Sequence, residues 1–184
     1  MTEDANNPSR PTILVCDDDP MVRLFARECL ESAGMAVVEA EDGDQALERY
    51  HESAPDLVFL DVEMPGKTGF EVCQAIRQSP QGADIPVLIA TGSDDKASID
   101  AGFEAGATQY KTKPINWALL SRDIRYMLRA ADNFQALKTQ EKRLRYLAYY
   151  DQMTELPNRR WFSDQLEQRM LWALNHNQPC ALLL

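Results

Sequence analysis

The chemistry in this chain gathers where apolar runs end on acids. The run Asp56-Leu57-Val58-Phe59-Leu60 stops on Asp61-Val62-Glu63-Met64-Pro65-Gly66, and Ile13-Leu14-Val15-Cys16 stops on Asp17 and Asp18. A carboxylate at the tip of a buried strand is shielded on one side and open to a small ligand on the other. Several such groups brought together repel one another unless a cation or a proton enters, so the pattern asks for a divalent metal. Hard oxygen donors suit Mg²⁺, which shares its coordination with phosphate oxygens. Two more strand ends offer Thr91 and, before Pro114, Lys113. Three carboxylates, one divalent ion and one ammonium sum to zero charge, so an incoming phosphoryl group meets a cation and no net negative field. In that setting Asp61 can attack phosphorus in line, with positioning and charge neutralisation supplying the rate. Thr91 can donate its hydroxyl hydrogen to a phosphoryl oxygen, and Lys113 can stabilise charge on another.

These groups need a scaffold that brings distant strand ends to one edge. From Thr12 to about Trp117 short apolar runs alternate with helical patterns, the signature of βαβ units and a parallel sheet. The expected strands are Ile13–Cys16, Ala36–Ala40, Leu57–Leu60, Val87–Thr91 and Thr108–Lys111. The expected helices are Met21–Ala33, Asp44–Ser53, Gly69–Gln78, Lys96–Glu104 and one starting at Ile115. Asp19-Pro20 reads as an N-cap followed by proline in the first helical position, which gives the third acid of its run a structural task. Gly34 follows the same helix where a left-handed residue is wanted. Strict alternation makes a doubly wound α/β sheet the default, and such sheets bind ligands at the carboxyl ends of their strands.

Beyond Trp117 the pattern lengthens. Leu120, Ile124, Met127, Ala131 and Phe134 form an apolar stripe, continued after a phase slip by Leu137, Leu144 and Ala148, with Glu141 on the seam. No Gly or Pro interrupts 115–156, so one long helix leaving the first domain is the economical reading. An exposed apolar seam on it wants a partner helix, and a parallel homodimer is expected, the alternative being a helix that folds back onto its own domain. From Tyr149 a polar turn leads into an amphipathic helix bearing Trp161, Phe162, Leu166, Met170 and Leu174, broken by Asn175-His176-Asn177-Gln178-Pro179. The final Cys180-Ala181-Leu182-Leu183-Leu184 reads as the start of a buried strand.

Composition narrows the class. A net charge of −10 over 184 residues disfavours non-specific nucleic-acid binding, and no basic recognition helix is visible, so a DNA-binding regulator is not expected. No apolar stretch is long enough to span a bilayer, and the polar first residues do not resemble a signal sequence. The expectation is a cytoplasmic protein without membrane insertion. Cys16, Cys29, Cys73 and Cys180 form no CxxC pair and read as reduced thiols. His51 and His176 have no partner at a useful spacing. The DxDx(T/V) motif of haloacid-dehalogenase-like phosphotransferases is not seen at Asp61.

Taken together, the acidic pair after the first strand, LDVEMPG after the third, ATG after the fourth and YKTKP at the fifth resemble the receiver domain of two-component response regulators, over residues 12 to about 130. The resemblance implies a five-stranded flavodoxin-like fold of order 2-1-3-4-5. It implies Asp61 as phosphoacceptor, with Asp18, Asp61 and the Glu63 backbone carbonyl as Mg²⁺ ligands and Asp17 acting through metal-bound water. It also implies that Thr91 shifts toward the phosphoryl group while Tyr110 swings inward, and that a histidine kinase or phosphotransfer protein is the donor. Glu63 and Gly92 border the pocket and bear on the phosphoryl lifetime.

Residues from about Leu147 onward resemble the start of a diguanylate cyclase (GGDEF) domain. Tyr149-Tyr150-Asp151-Gln152-Met153-Thr154-Glu155-Leu156-Pro157-Asn158-Arg159-Arg160-Trp161-Phe162 is similar to that family's opening motif, DxLTGLxNRRxF, and Ala181-Leu182-Leu183-Leu184 to its first core strand. Met153 replaces leucine, a volume-conserving change. Glu155 replaces glycine, which bears on the tightness of the turn. Asp151 could pair with Arg159 or Arg160, or cap the turn. The family's metal-binding aspartates and GGDEF loop follow the strand corresponding to ALLL, so no output catalysis is expected within these 184 residues. The expected organisation is a tail (1–11), a receiver (12–131), a helical stalk (132–150) and an incomplete cyclase-like start (151–184). The expected output is cyclic-di-GMP turnover. The alternatives are a GGDEF-EAL phosphodiesterase and a non-enzymatic phosphorelay or scaffold receiver.

Overall fold

The computed structural model describes residues 10–92, 96–179 and 181, with the side chains of 96–99 left aside. The expected N-terminal tail, up to residue 9, and the expected last strand, 180–184 apart from residue 181, lie outside the described residues. The chain divides into two compact units, Met1–Asn133 and Phe134–Leu184.

The first unit is built on five strands: β1 (Thr12–Cys16), β2 (Ala36–Ala40), β3 (Leu57–Asp61), β4 (Val87–Thr91) and β5 (Gln109–Thr112). All pairings are parallel, and the order is β2-β1-β3-β4-β5. Between them run α1 (Pro20–Ser32), α2 (Gly43–Ser53), α3 (Gly69–Gln78) and α4 (Lys96–Glu104), and α5 (Trp117–Tyr149) follows β5. This is the flavodoxin-like order 2-1-3-4-5 expected from the sequence. Both faces of the sheet are covered, which is why the strands read as continuous apolar runs. Leu14, Val58, Leu60, Val87 and Ile89 pack on Tyr50, Val72 and Ile76 of α2 and α3. Ile13, Leu57, Phe59 and Leu88 pack on the other side against Leu30 of α1 and Leu120, Ile124 and Met127 of α5.

Helix boundaries follow local chemistry. The Asp19 carboxylate accepts from the Met21 amide at 2.8 Å, and Pro20 occupies the first turn of α1. Gly34, at φ +84°, closes the end of that helix in the left-handed region, as its position after the last turn predicts. Thr68 and Glu71 form a reciprocal capping box on α3. β5 begins one residue later than expected. The Thr108 amide donates to Val87 O at 2.8 Å, and its hydroxyl accepts from the Val87 amide at 3.0 Å, so Thr108 serves as the strand's entrance. α5 starts at Trp117 rather than Ile115, because the Asn116 carbonyl accepts the amides of Leu119 and Leu120.

In the second unit α5 ends at Tyr149, well before any proline. The cause is Asp151: its Oδ1 accepts from the amides of Met153 and Thr154 and from the Thr154 hydroxyl, offering the backbone an alternative to the helix. These bonds hold the Asp151 carboxyl below the usual carboxylate range, the Thr154 amide contributing most. The carboxylate therefore closes the turn, and it forms no ion pair with Arg159 or Arg160; Arg160 lies over the Tyr149 ring instead. An antiparallel bridge joins Tyr150 and Pro157. Glu155 adopts φ +56°, the conformation for which the related motif carries glycine. Asn158 caps α6 (Arg159–Asn175) through the Trp161 amide at 3.0 Å. Phe162, Met170 and Leu174 on α6 are exposed, as are Leu137 and Leu144 on α5.

Candidate functional site

Strand order reverses between β1 and β3, which opens a crevice at the carboxyl edge of the sheet. β1 delivers Asp17 and Asp18 there, β3 ends on Asp61, β4 ends on Thr91, and the segment after β5 carries Lys113. One carboxylate oxygen from each of Asp17, Asp18 and Asp61 lies within 4.8 Å of the others. Asp17 and Asp61 are buried and Asp18 is exposed, so the cluster has a closed floor and an open side.

Asp61 is gripped at both oxygens. Its Oδ1 accepts from the Val62 amide at 2.9 Å, and its Oδ2 lies 2.9 Å from Lys113 Nζ. Behind it, the Val62 amide lies 3.0 Å from Ala90 O, which ties this strand end to β4. Burial raises the Asp61 pKa above the ordinary value, the hydrogen bond from Lys113 opposes it, and the Asp17 charge adds to the rise. Ionised Asp61 is thus under-compensated, and a further cation relieves it.

Lys113 Nζ also donates to Asp17 Oδ2 at 2.9 Å, so one ammonium bridges two buried acids. Burial by itself lowers the Lys113 pKa, but the hydrogen bonds and charges of Asp61 and Asp17 outweigh it and the net direction is upward. The Lys113 amide donates to Thr91 O at 2.7 Å, so the backbone that presents the amine is anchored on β4. The other oxygen of Asp17, Oδ1, accepts from the Asp19 amide at 3.0 Å.

Thr91 is buried at the same edge, one residue beyond Ala90, the residue in register with Asp61. Glu63 is exposed two residues past Asp61, and its carboxylate is not part of the cluster. Tyr110, in the middle of β5, is half-buried against the α3 side of the core. A Cβ added at Gly102 of α4 would sit 3.1 Å from its ring, so the ring already lies close to α4. Lys111 on β5 pairs with Asp123 on α5 at 2.6 Å.

Two residues that sequence reasoning passed over shape this crevice. Gly69 opens α3 directly against the Asp61 backbone: a Cβ there would fall 2.1 Å from the Asp61 carbonyl oxygen. The Gly69 amide donates to Val62 O at 3.0 Å. A glycine at the first position of a helix signals only permissive backbone, so its role as a spacer is legible only in three dimensions. The second is Arg23 on α1, whose Nη1 donates to the carbonyl oxygens of Asp17 and Asp18.

The oxygen-only donor set and the excess negative charge fit a hard divalent cation such as Mg²⁺. Three acids from two strand ends at the carboxyl edge, two of them bridged by one lysine, are also what a known family carries. The family model for the response regulator receiver domain matches residues 13–125. This chain belongs to the response regulator receiver family. A second family model, that of the diguanylate cyclase GGDEF domain, matches residues 148–184.

Among relatives, the transcriptional regulatory protein AfsQ1 of Streptomyces coelicolor is 35% identical over 122 residues, covering 66% of this chain and 53% of that protein. RpaA of Synechocystis, a DNA-binding dual master transcriptional regulator, is 38% identical over 132 residues, or 71% of this chain and 55% of that one. The chain therefore spans about half the length of the curated relatives it matches. The chemotaxis response regulator CheY4 of Vibrio cholerae superposes with a TM-score of 0.62 at 30% identity, covering 65% of this chain and 99% of its own. Among the described residues no helix is long and apolar enough to cross a membrane.

Proposed function

We propose that Asp61 accepts a phosphoryl group from a histidine kinase or a phosphotransfer protein, with Mg²⁺ bound by Asp18, Asp61 and the Glu63 carbonyl and Asp17 acting through metal-bound water. The observation that carries this reading is the bridge from Lys113 to both Asp17 and Asp61, at 2.9 Å each, inside the cluster of acids. A carboxylate oxygen of Asp61 attacks phosphorus, the bond from phosphorus to the donor imidazole nitrogen breaks, and that nitrogen keeps the electron pair and takes a proton. Bound Mg²⁺ would supply neutralisation of phosphoryl-oxygen charge at this edge of the sheet. Lys113 exchanges its contact with Asp61 for one with a phosphoryl oxygen, and Thr91 donates its hydroxyl hydrogen to another. Asp17 keeps Lys113 in place. Donation from Thr91 draws the end of β4 toward Asp61, and Tyr110 follows inward, changing the face made by α4, β5 and α5.

The proposed organisation is a receiver (12–131), a stalk (132–150) made almost wholly of the end of α5, and the beginning of a cyclase-like unit (151–184). The match of residues 148–184 to the GGDEF family supports cyclic-di-GMP turnover as the output of the protein to which this receiver belongs. The exposed Phe134, Leu137 and Leu144 on α5 support a homodimer in which the stalk passes the change along. Incubation with acetyl phosphate and Mg²⁺ tests the phosphoacceptor. One phosphoryl group per chain is expected, and none in Asp61→Asn; undiminished labelling of that variant would refute the assignment.

A further inference from the structure

Arg23 sits in the first turns of α1, and its guanidinium reaches back over the acidic loop. Nη1 donates to Asp17 O at 2.7 Å and to Asp18 O at 3.2 Å. On the far side, Nε lies 3.5 Å from Glu39 Oε2 on β2, and Nη2 lies 4.0 Å from Glu41 Oε2. The side chain is only 15% exposed. Both ends of a planar, multi-donor fork are therefore fixed, and two consecutive carbonyls are turned toward the same nitrogen. Holding those carbonyls sets the peptide planes from which the Asp17 and Asp18 side chains project toward Asp61.

We propose that Arg23 is a positioning residue for the metal-binding acids: it clamps the backbone of Asp17 and Asp18 so that their carboxylates meet Asp61 without the loop having to be ordered by the metal. The inference rests on the reading of this cluster as a Mg²⁺ site. Groups that orient metal ligands from behind change affinity by roughly 10- to 100-fold when removed. Charge and geometry pull in opposite directions here, which makes the proposal decidable. A guanidinium near a cation site repels the cation, so through charge alone its removal would tighten Mg²⁺ binding. Through the clamp, removal weakens it. Arg27 provides an internal control, because its Nη1 lies 2.8 Å from Glu39 Oε1 and forms no hydrogen bond to the acidic loop.

The test is calorimetric titration of Mg²⁺ into the metal-free 184-residue protein, with acetyl phosphate labelling in parallel, for the parent, Arg23→Met, Arg23→Lys and Arg27→Met. The expected result is roughly 10- to 100-fold weaker Mg²⁺ binding in Arg23→Met, parent-like binding in Arg27→Met, and an intermediate loss in Arg23→Lys. Lysine keeps the charge and the stem, so that variant remains informative if the methionine variant fails to fold. At saturating Mg²⁺ the labelling rate of the Arg23 variants should return toward that of the parent, which general structural damage would not do. Unchanged or tighter Mg²⁺ binding in the Arg23 variants overturns the proposal, as does an equal loss in Arg27→Met. A parent that binds no Mg²⁺ overturns the underlying site reading, and the positioning role with it.

Discussion

Replacing Lys113 by methionine removes the one ammonium shared by Asp17 and Asp61 while keeping most of the side-chain volume. Each contact is 2.9 Å long. At an effective dielectric near 20, a charge pair at that separation interacts by about 6 kcal/mol before desolvation is subtracted. Breaking a buried pair by deleting one partner costs about 3–5 kcal/mol, and the partial exposure of Lys113 places this case near 3 kcal/mol. For a domain of this size that corresponds to a fall in Tm of about 10 °C. The sign depends on pH and on metal. The folded-state pKa of Lys113 is raised, so its contribution is fully present below the unfolded lysine value and is lost as pH rises through the folded one. The Asp61 pKa is raised too, chiefly by burial, so in the variant the deficit shrinks toward acid pH as that carboxyl takes a proton. Mg²⁺ supplies the missing positive charge and should stabilise the variant more than the parent. Thermal melts of both proteins in EDTA and in excess Mg²⁺, at neutral and mildly acidic pH, read all three effects. A variant that melts with the parent at neutral pH in EDTA, or gains no more from Mg²⁺, would refute the reasoning.

Gly69→Ala should destabilise the first unit by several kcal/mol, because its Cβ would lie 2.1 Å from the Asp61 carbonyl and two backbones must part; denaturant titration measures it, together with a loss of labelling. Labelling by acetyl phosphate should fall as pH drops through the raised Asp61 pKa, since the protonated carboxyl is neither nucleophile nor metal ligand; a rate that holds flat well into the acid range would contradict the burial argument. Glu155→Gly should stabilise the second unit by about 1 kcal/mol, relieving the side chain at φ +56°; a denaturation midpoint that falls would count against it.

Much of this site can be read from the chain because each chemical group ends an apolar run. A parallel sheet buried on both faces forces such runs to be continuous, so Asp17, Asp61 and Thr91 are marked by where hydrophobicity stops. Lys113 is marked by the proline that follows it. The bridge it makes between two acids could not be read, because it depends on strand order and on side-chain reach across 96 residues of sequence. Gly69 and Arg23 were silent for different reasons. One acts by the side chain it lacks, and the other acts on backbone carbonyls, which every residue possesses. The end of α5 was legible from the polar turn that begins at Tyr149, but its cause was not, since Asp151 stops the helix by capturing two amides and neither Gly nor Pro marks the place.

The most direct measurement is chemical trapping of the phosphorylated site. Borohydride reduces an aspartyl phosphate to homoserine and leaves free carboxylates untouched, so peptide mapping after treatment with acetyl phosphate and Mg²⁺ names the acceptor. Homoserine is expected at position 61 alone, and only when Mg²⁺ is present. Conversion at Asp17 or Asp18 instead, or at Asp61 with equal yield in EDTA, would contradict it.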